Sequence, residues 1–305
     1  MPRPRLLFNL AALPTWMLAL VPALLWGSSF VVTKAIYADW PPITVAAGRW
    51  LIATLFFAGW VGVRGQLGTV TQAVRAHPGT IFAFGLVGVG ALYVTQNLAL
   101  NYTTVTNVSV LGNLFPVFVL LLSILVLGER VSRTLAVAVL GATVGAGLVS
   151  VAGGAVTVAP EHLVGDGLAI LAAIAGAVYI VLGKRIVDGF SPAVVTLLAA
   201  GTGSLFLVPL ALIIDGIPPM PSLGAVGGLL ILGLGSSAVA NLVWWMVAER
   251  MEASRAALFI LLVPLIGALS GVLFLGEPVT WQMLLGGSMI LAALYLAQMI
   301  QAEQK

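Results

Sequence analysis

Three sets of polar and aromatic side chains stand at helical spacing inside otherwise apolar runs of the chain. Tyr93, Gln96, Asn97 and Asn101 follow the i, i+3, i+4, i+8 pattern that puts residues on one helix face. Ser237, Asn241, Trp244 and Trp245 do the same, as do Trp26, Ser29, Phe30, Thr33 and Lys34. Amides and hydroxyls in an apolar medium need hydrogen-bond partners, so these faces are expected to point at other helices or at a wet cavity. Their chemistry is recognition without covalent steps: rings to stack on a planar molecule, amides and hydroxyls to fix its polar groups. Lys34 stands at the mouth of its face, where it can meet a carboxylate. Tyr179, 149 residues after Phe30, adds a further aromatic wall.

Other chemistries lack their residues. All ten acidic residues fall at or near segment ends, and the two histidines, His77 and His162, fall in loops. With no cysteine and no clustered ligands, neither a metal site nor a thiol nucleophile is expected. No HExxH, phosphate-binding loop or GxSxG motif occurs, so no catalytic residue and no cofactor is assigned. No carboxylate sits mid-segment, which disfavours proton coupling through a buried acid. The basic residues behind the net charge of +3 are scattered and form no patch, so nucleic acid is not an expected partner.

A composition of 61% hydrophobic and 8% charged residues, with mean hydropathy +1.14, makes this a membrane protein. Ten apolar segments can each cross a core roughly 30 Å thick. They run over 16–36, 43–63, 79–100, 104–126, 134–151, 167–186, 191–214, 223–248, 255–275 and 280–300. Backbone groups in lipid must be satisfied within the segment, so the spans are helices. The first is expected to stay uncleaved. With both termini in the cytoplasm, 11 of the 13 Lys and Arg residues lie inside, among them Arg3, Arg5, Arg64, Arg130, Lys184 and Lys305. Lys34 and Arg49 are the exceptions. Arg49 is expected to reach the outer headgroups or pair with Asp39.

A repeat organises these spans. Seven residues between 116 and 131 recur 148 positions later, including Pro116/Pro264, Gly128/Gly276 and Glu129/Glu277. The link from span 4 to span 9 divides the chain into halves 1–154 and 155–305, each of five helices. Five is odd, so the halves face opposite ways: an inverted repeat of the kind that suits alternating access around a midplane site. Gly128 and Gly276 are expected to end helices, Ser132 and Thr280 to cap the next ones, and the two glutamates to accept backbone amides. Pro116 and Pro264 are expected to kink spans 4 and 9. The same offset pairs Tyr93 with Asn241, Gln96 with Trp244 and Asn97 with Trp245, so the two faces line one path from both ends.

WGSSFVVTK at 26–34, Pro116 followed by LGERVS, ERMEASRAAL at 249–258 and Pro264 followed by LGEPVT together resemble the EamA family of the drug/metabolite transporter superfamily. The resemblance covers nearly the whole chain. It implies a ten-helix carrier in the inner membrane, its cavity lined mainly by spans 1, 3, 4, 6, 8 and 9. The aromatic lining is similar to the YddG-like branch, which implies export of aromatic and other amino acids. The expected partners are a small-molecule substrate and membrane lipids. A broad exporter of drugs or toxic metabolites, or a non-transporting scaffold, is the alternative.

Overall fold

The computed structural model describes residues 13–303, and in them ten helices are long and apolar enough to cross a membrane. They are α1 (Thr15–Ile36), α2 (Pro42–Val63), α3 (Pro78–Ala99), α4 (Val105–Leu127) and α5 (Arg133–Gly153), followed by α6 (Pro160–Val187), α7 (Pro192–Ile214), α8 (Leu223–Ala248), α9 (Ala253–Phe274) and α10 (Trp281–Met299). These match the ten sequence spans in order and number. An additional short helix, Leu67–Ala76, links α2 to α3. Arg3, Arg5 and Lys305 lie outside the described residues. Arg64, Arg130, Arg133, Lys184, Arg185 and Arg250 gather at one end of the bundle, called the basic end below. Asp39, Glu161, Asp215 and Glu277 mark the opposite, far end.

The packing obeys the repeat. Helices α2 and α7, equivalent under the 148-residue offset, pack on each other, and so do α5 and α10. Helix α1 lies against α8 and α9, while its counterpart α6 lies against α3 and α4. Such a two-fold pattern between halves of opposite orientation is the architecture of an inverted repeat. Between α5 and α10 the backbones touch: a Cβ on Gly145 would stand 2.7 Å from the Gly286 carbonyl oxygen. Small residues permit this approach, which is how helices associate without a hydrophobic driving force between them.

Four helices are interrupted along their length, α4 and α9 by turns and α3 and α8 by π segments, and α4 carries a further π segment, Ser123–Leu127, that α9 lacks. In α4 a turn at Asn113–Leu114 precedes Pro116; in α9 the break falls at Leu261, three residues before Pro264. Proline supplies no amide to bond the preceding turn, so an interruption there leaves fewer groups unsatisfied. In α3 residues Leu86–Ala91 are π-helical, and in α8 residues Ile231–Val239 are. The two π segments end at equivalent positions, 91 and 239. Such widened turns recur at functional sites because they free backbone groups and re-aim side chains.

The LGE turns fold as their residues dictate. Gly128 and Gly276 adopt left-handed backbone with φ of 70° and 69°, which only glycine enters without a Cβ clash. Ser132 Oγ accepts the Leu135 amide (3.1 Å) and Thr280 Oγ1 the Met283 amide (3.3 Å), capping α5 and α10.

Candidate functional site

A cavity of about 790 Å³ opens toward the far end between the two broken helices. Ser109, Asn113 and Pro116 of α4 face Pro264 and Gly267 of α9 across it. Phe30 of α1, Gln96 of α3 and Glu277 complete its polar and aromatic surface. Of the sequence-derived candidates, Phe30, Gln96, Pro116 and Pro264 therefore line open space. Phe30 is 56% exposed.

Toward the basic end the same path is shut. Phe84 stacks on Tyr179 at 4.9 Å between ring centroids, and Trp245 packs on both at 5.7 and 5.2 Å. Trp26 meets Trp244 at 5.8 Å. Trp244, Trp245 and Phe84 are fully buried. Beneath these rings Glu129 closes the end by a different chemistry. Its carboxylate accepts the Ala253 amide (2.7 Å), the Ser254 amide (3.1 Å) and the Ser254 hydroxyl (2.6 Å). A carboxylate on the first amides of α9 meets the positive end of the helix dipole and pins the α4–α5 turn to the other half of the molecule. Lys184 adds a bond to the Ala248 carbonyl (2.6 Å) and a salt bridge to Asp188 (2.8 Å).

Between the cavity and the aromatic seal runs a buried polar network. The Tyr179 hydroxyl donates to Asn241 Oδ1 (2.7 Å), and Asn241 Nδ2 donates to the Ser237 carbonyl (3.0 Å) and the Ser236 carbonyl (3.3 Å). One amide thus reaches carbonyls both four and five residues back, at the end of the α8 π segment. Trp26 Nε1 donates to the Ser236 carbonyl as well (2.8 Å). Six candidates, Trp26, Tyr179, Ser237, Asn241, Trp244 and Trp245, are brought together here.

Arg49 of α2 joins the same network, and the expectation that it would reach outer headgroups or pair with Asp39 is corrected. Asp39 instead accepts from the Ser222 hydroxyl (2.6 Å). Arg49 is only 8% exposed; its Nε donates to Ser237 Oγ (2.7 Å) and its Nη2 to Ser236 Oγ (2.6 Å). Its guanidinium carbon stands 5.9 Å from the centre of the Tyr93 ring, which packs edge-on against Trp50 at 6.2 Å. Among the described residues no carboxylate lies within salt-bridge distance of it. Insertion scales put the cost of a charge at the bilayer centre at about 2.5–3.5 kcal/mol, so a buried cation held only by hydroxyls and a ring needs explaining. Tyr37, one residue beyond α1, feels the same charge: partial burial and Tyr93 push its phenol above the usual range, while Arg49 pulls it down.

Four candidates stand apart from both features. Ser29 Oγ donates back to the Trp26 carbonyl (2.7 Å) and Asn97 Nδ2 to the Tyr93 carbonyl (2.7 Å), so each is satisfied by its own helix. Lys34 is exposed near the far end. Asn101 lies in the turn after α3, which ends at Ala99, and is exposed there.

Comparison with known proteins places this arrangement in context. The EamA-like transporter family matches residues 13–151 and 163–299. An uncharacterized transporter of Archaeoglobus fulgidus is 31% identical over 283 residues, covering 92% of this chain and 96% of its own. Protein PecM of Dickeya dadantii is 27% identical over 90% of this chain and 88% of its own. A probable terminal-alkyne amino-acid exporter of Streptantibioticus cattleyicolor is 25% identical over 92% of each chain. A solved crystal structure superposes with a TM-score of 0.80 at 19% identity, covering 95% of this chain and 98% of that one, and so shares the fold.

Proposed function

Because this chain belongs to the EamA-like transporter family, we propose that it exports amino acids or similar small amphipathic metabolites by alternating access, with aromatic amino acids the preferred class. The observation that carries the reading is the one-sided path: an open cavity of about 790 Å³ above a dry aromatic seal and a Glu129 latch, within an inverted repeat. The residues 1–154 and 155–305 then act as the two moving halves. The kinked α4 and α9 act as the gates, since their breaks line the cavity. Trp26, Tyr93, Asn241 and Trp244 meet the substrate as the seal opens to the basic end, and Phe30 and Gln96 line its exit.

The basic end faces the cytoplasm in this reading, by the excess of Lys and Arg there, and the membrane is the inner one. The cavity then opens to the outside, the side from which an exporter has released its cargo. The amino-acid exporter among the relatives supports the substrate class. Nothing in the proposed cycle makes or breaks a covalent bond, so the chain acts as a carrier rather than an enzyme. Counterflow of radiolabelled amino acids into proteoliposomes is the test. Saturable exchange of phenylalanine, tyrosine or tryptophan is expected; absence of exchange for every amino acid sinks the substrate class, and exchange of unrelated organic cations instead favours a broad drug exporter.

A further inference from the structure

Arg49 is the one strongly charged group in the buried network, and the path as proposed above leaves it without a role. A guanidinium carries five N–H donors in a fixed planar fork. Ser236 and Ser237 engage two atoms of that fork, Nη2 and Nε. Nη1 makes no hydrogen bond among the described residues. Neither is it among the buried polar atoms that lack a partner, so its residual exposure faces space large enough for water. On the next residue, Trp50, Nε1 is buried with no partner. Tyr93, whose ring lies over Arg49, is one helical turn from Gln96 at the cavity wall.

We propose that Arg49 is the carboxylate-binding residue of the transport path, holding the substrate's anionic group on its free Nη1 edge, while the hydroxyls of Ser236, itself donating to the Leu232 carbonyl, and Ser237 keep the rest of the fork in place. This rests on the transport reading and narrows it to substrates that carry a carboxylate. The chemistry is that of a fork that takes a planar monoanion through paired, charge-assisted hydrogen bonds. An ionisable residue inside a membrane is a functional group whose partner must be found, and no acidic side chain supplies one here. The substrate supplies it. A neutralised Arg49 also crosses the conformational change without an unpaired charge, which makes the loaded carrier easier to turn over than the empty one. The neighbouring hydroxyls matter because they orient the fork while carrying no charge of their own that would compete for it.

The test uses the full chain in proteoliposomes and in detergent, with amino acids and their uncharged amides as paired probes. Counterflow is measured for wild type, Arg49→Lys and Arg49→Gln. Arg49→Gln is expected to lower exchange of the acids at least tenfold and of the amides less than twofold. Equal loss for both forms would make Arg49 a packing residue and overturn the assignment. Arg49→Lys keeps the charge and loses the fork, so acid exchange falls by a smaller factor; exchange equal to wild type would overturn the forked contact. Tryptophan fluorescence gives a readout independent of transport. Wild type is expected to show a saturable change at much lower concentration with the acid than with its amide, and Arg49→Gln no preference for the acid. A wild type without that preference overturns the anion site, whereas a signal without counterflow keeps the site and overturns the transport reading.

Discussion

Tyr179 and Asn241, both buried, share one hydrogen bond of 2.7 Å. Tyr179→Phe keeps the ring on Phe84 and deletes only the donor, leaving Asn241 Oδ1 buried without a partner. Such a loss costs about 1–3 kcal/mol, so a lower unfolding temperature in detergent is expected. A double-mutant cycle with Asn241→Ala should show coupling of about 1 kcal/mol; strictly additive effects would mean that the two side chains do not act together. Residue spacing made Tyr179, Ser237 and Asn241 visible, because amides and hydroxyls in apolar runs declare a need for partners. Arg49 was legible as an anomaly and misplaced in its surroundings. Sequence gives depth along a helix, but which neighbour a side chain turns toward depends on helix rotation, and Ser236 and Ser237 lie 187 and 188 residues away. Asn101 fails for a local reason: its spacing continues the pattern past the point where the helix stops.

Among the elements, Pro116 and Pro264 sit just after matched breaks in helices that line the cavity. Alanine at either position restores an amide to the preceding turn and favours a straighter helix. Pro116→Ala and Pro264→Ala are each expected to slow counterflow severalfold while thermal stability holds or rises; unchanged counterflow would reduce the kinks to passive shape. Gly183 makes the opposite kind of test. A Cβ there would enter the Trp245 ring, so Gly183→Ala must push α6 and α8 apart at the seal. Reagents that reach the path from the basic end should then label a cysteine placed beside Trp245, and no gain in labelling would argue against a tight seal. The spans and the paired prolines could be read from the chain, since length, glycine turns and an exact offset define them, and the ends came within a few residues except at α6, which begins at Pro160 rather than 167. The π segments could not: an apolar run of the right length looks the same whether its turns hold four residues or five. Their effect is local but decisive, for it is within the α8 segment that Ser236 and Ser237 are presented to Arg49.

At the scale of the molecule, the offset that relates the halves makes a demand on Glu129. Subtracting 148 from Ala253 and Ser254 gives Val105 and Thr106 at the start of α4, and Glu277 is the acid that would cap them. Here Glu277 is exposed on the cavity wall and its carboxylate folds back against Gly271. Only one of the two caps is made. A helix-capping acid contributes about 0.5–2 kcal/mol, and one or two kcal/mol moves a two-state ratio by a factor of about 5–30. Glu129→Gln is therefore expected to shift the population toward a form open at the basic end, lowering labelling of a cysteine at Ser109 in this cysteine-free chain; Glu277→Gln should leave that labelling unchanged or raise it. Identical labelling in wild type and both variants would mean that the caps do not set the balance. The aromatic seal carries the same demand into thermodynamics. The residues that correspond to Asn241, Trp244 and Trp245 are Tyr93, Gln96 and Asn97, so a closure at the far end would bury amides where this one buries indoles. Exchanging the two closures exposes apolar surface and hides polar surface, and both changes raise the heat capacity. The balance between the two forms must then bend with temperature, and a carrier built from mirrored halves is not thermally symmetric.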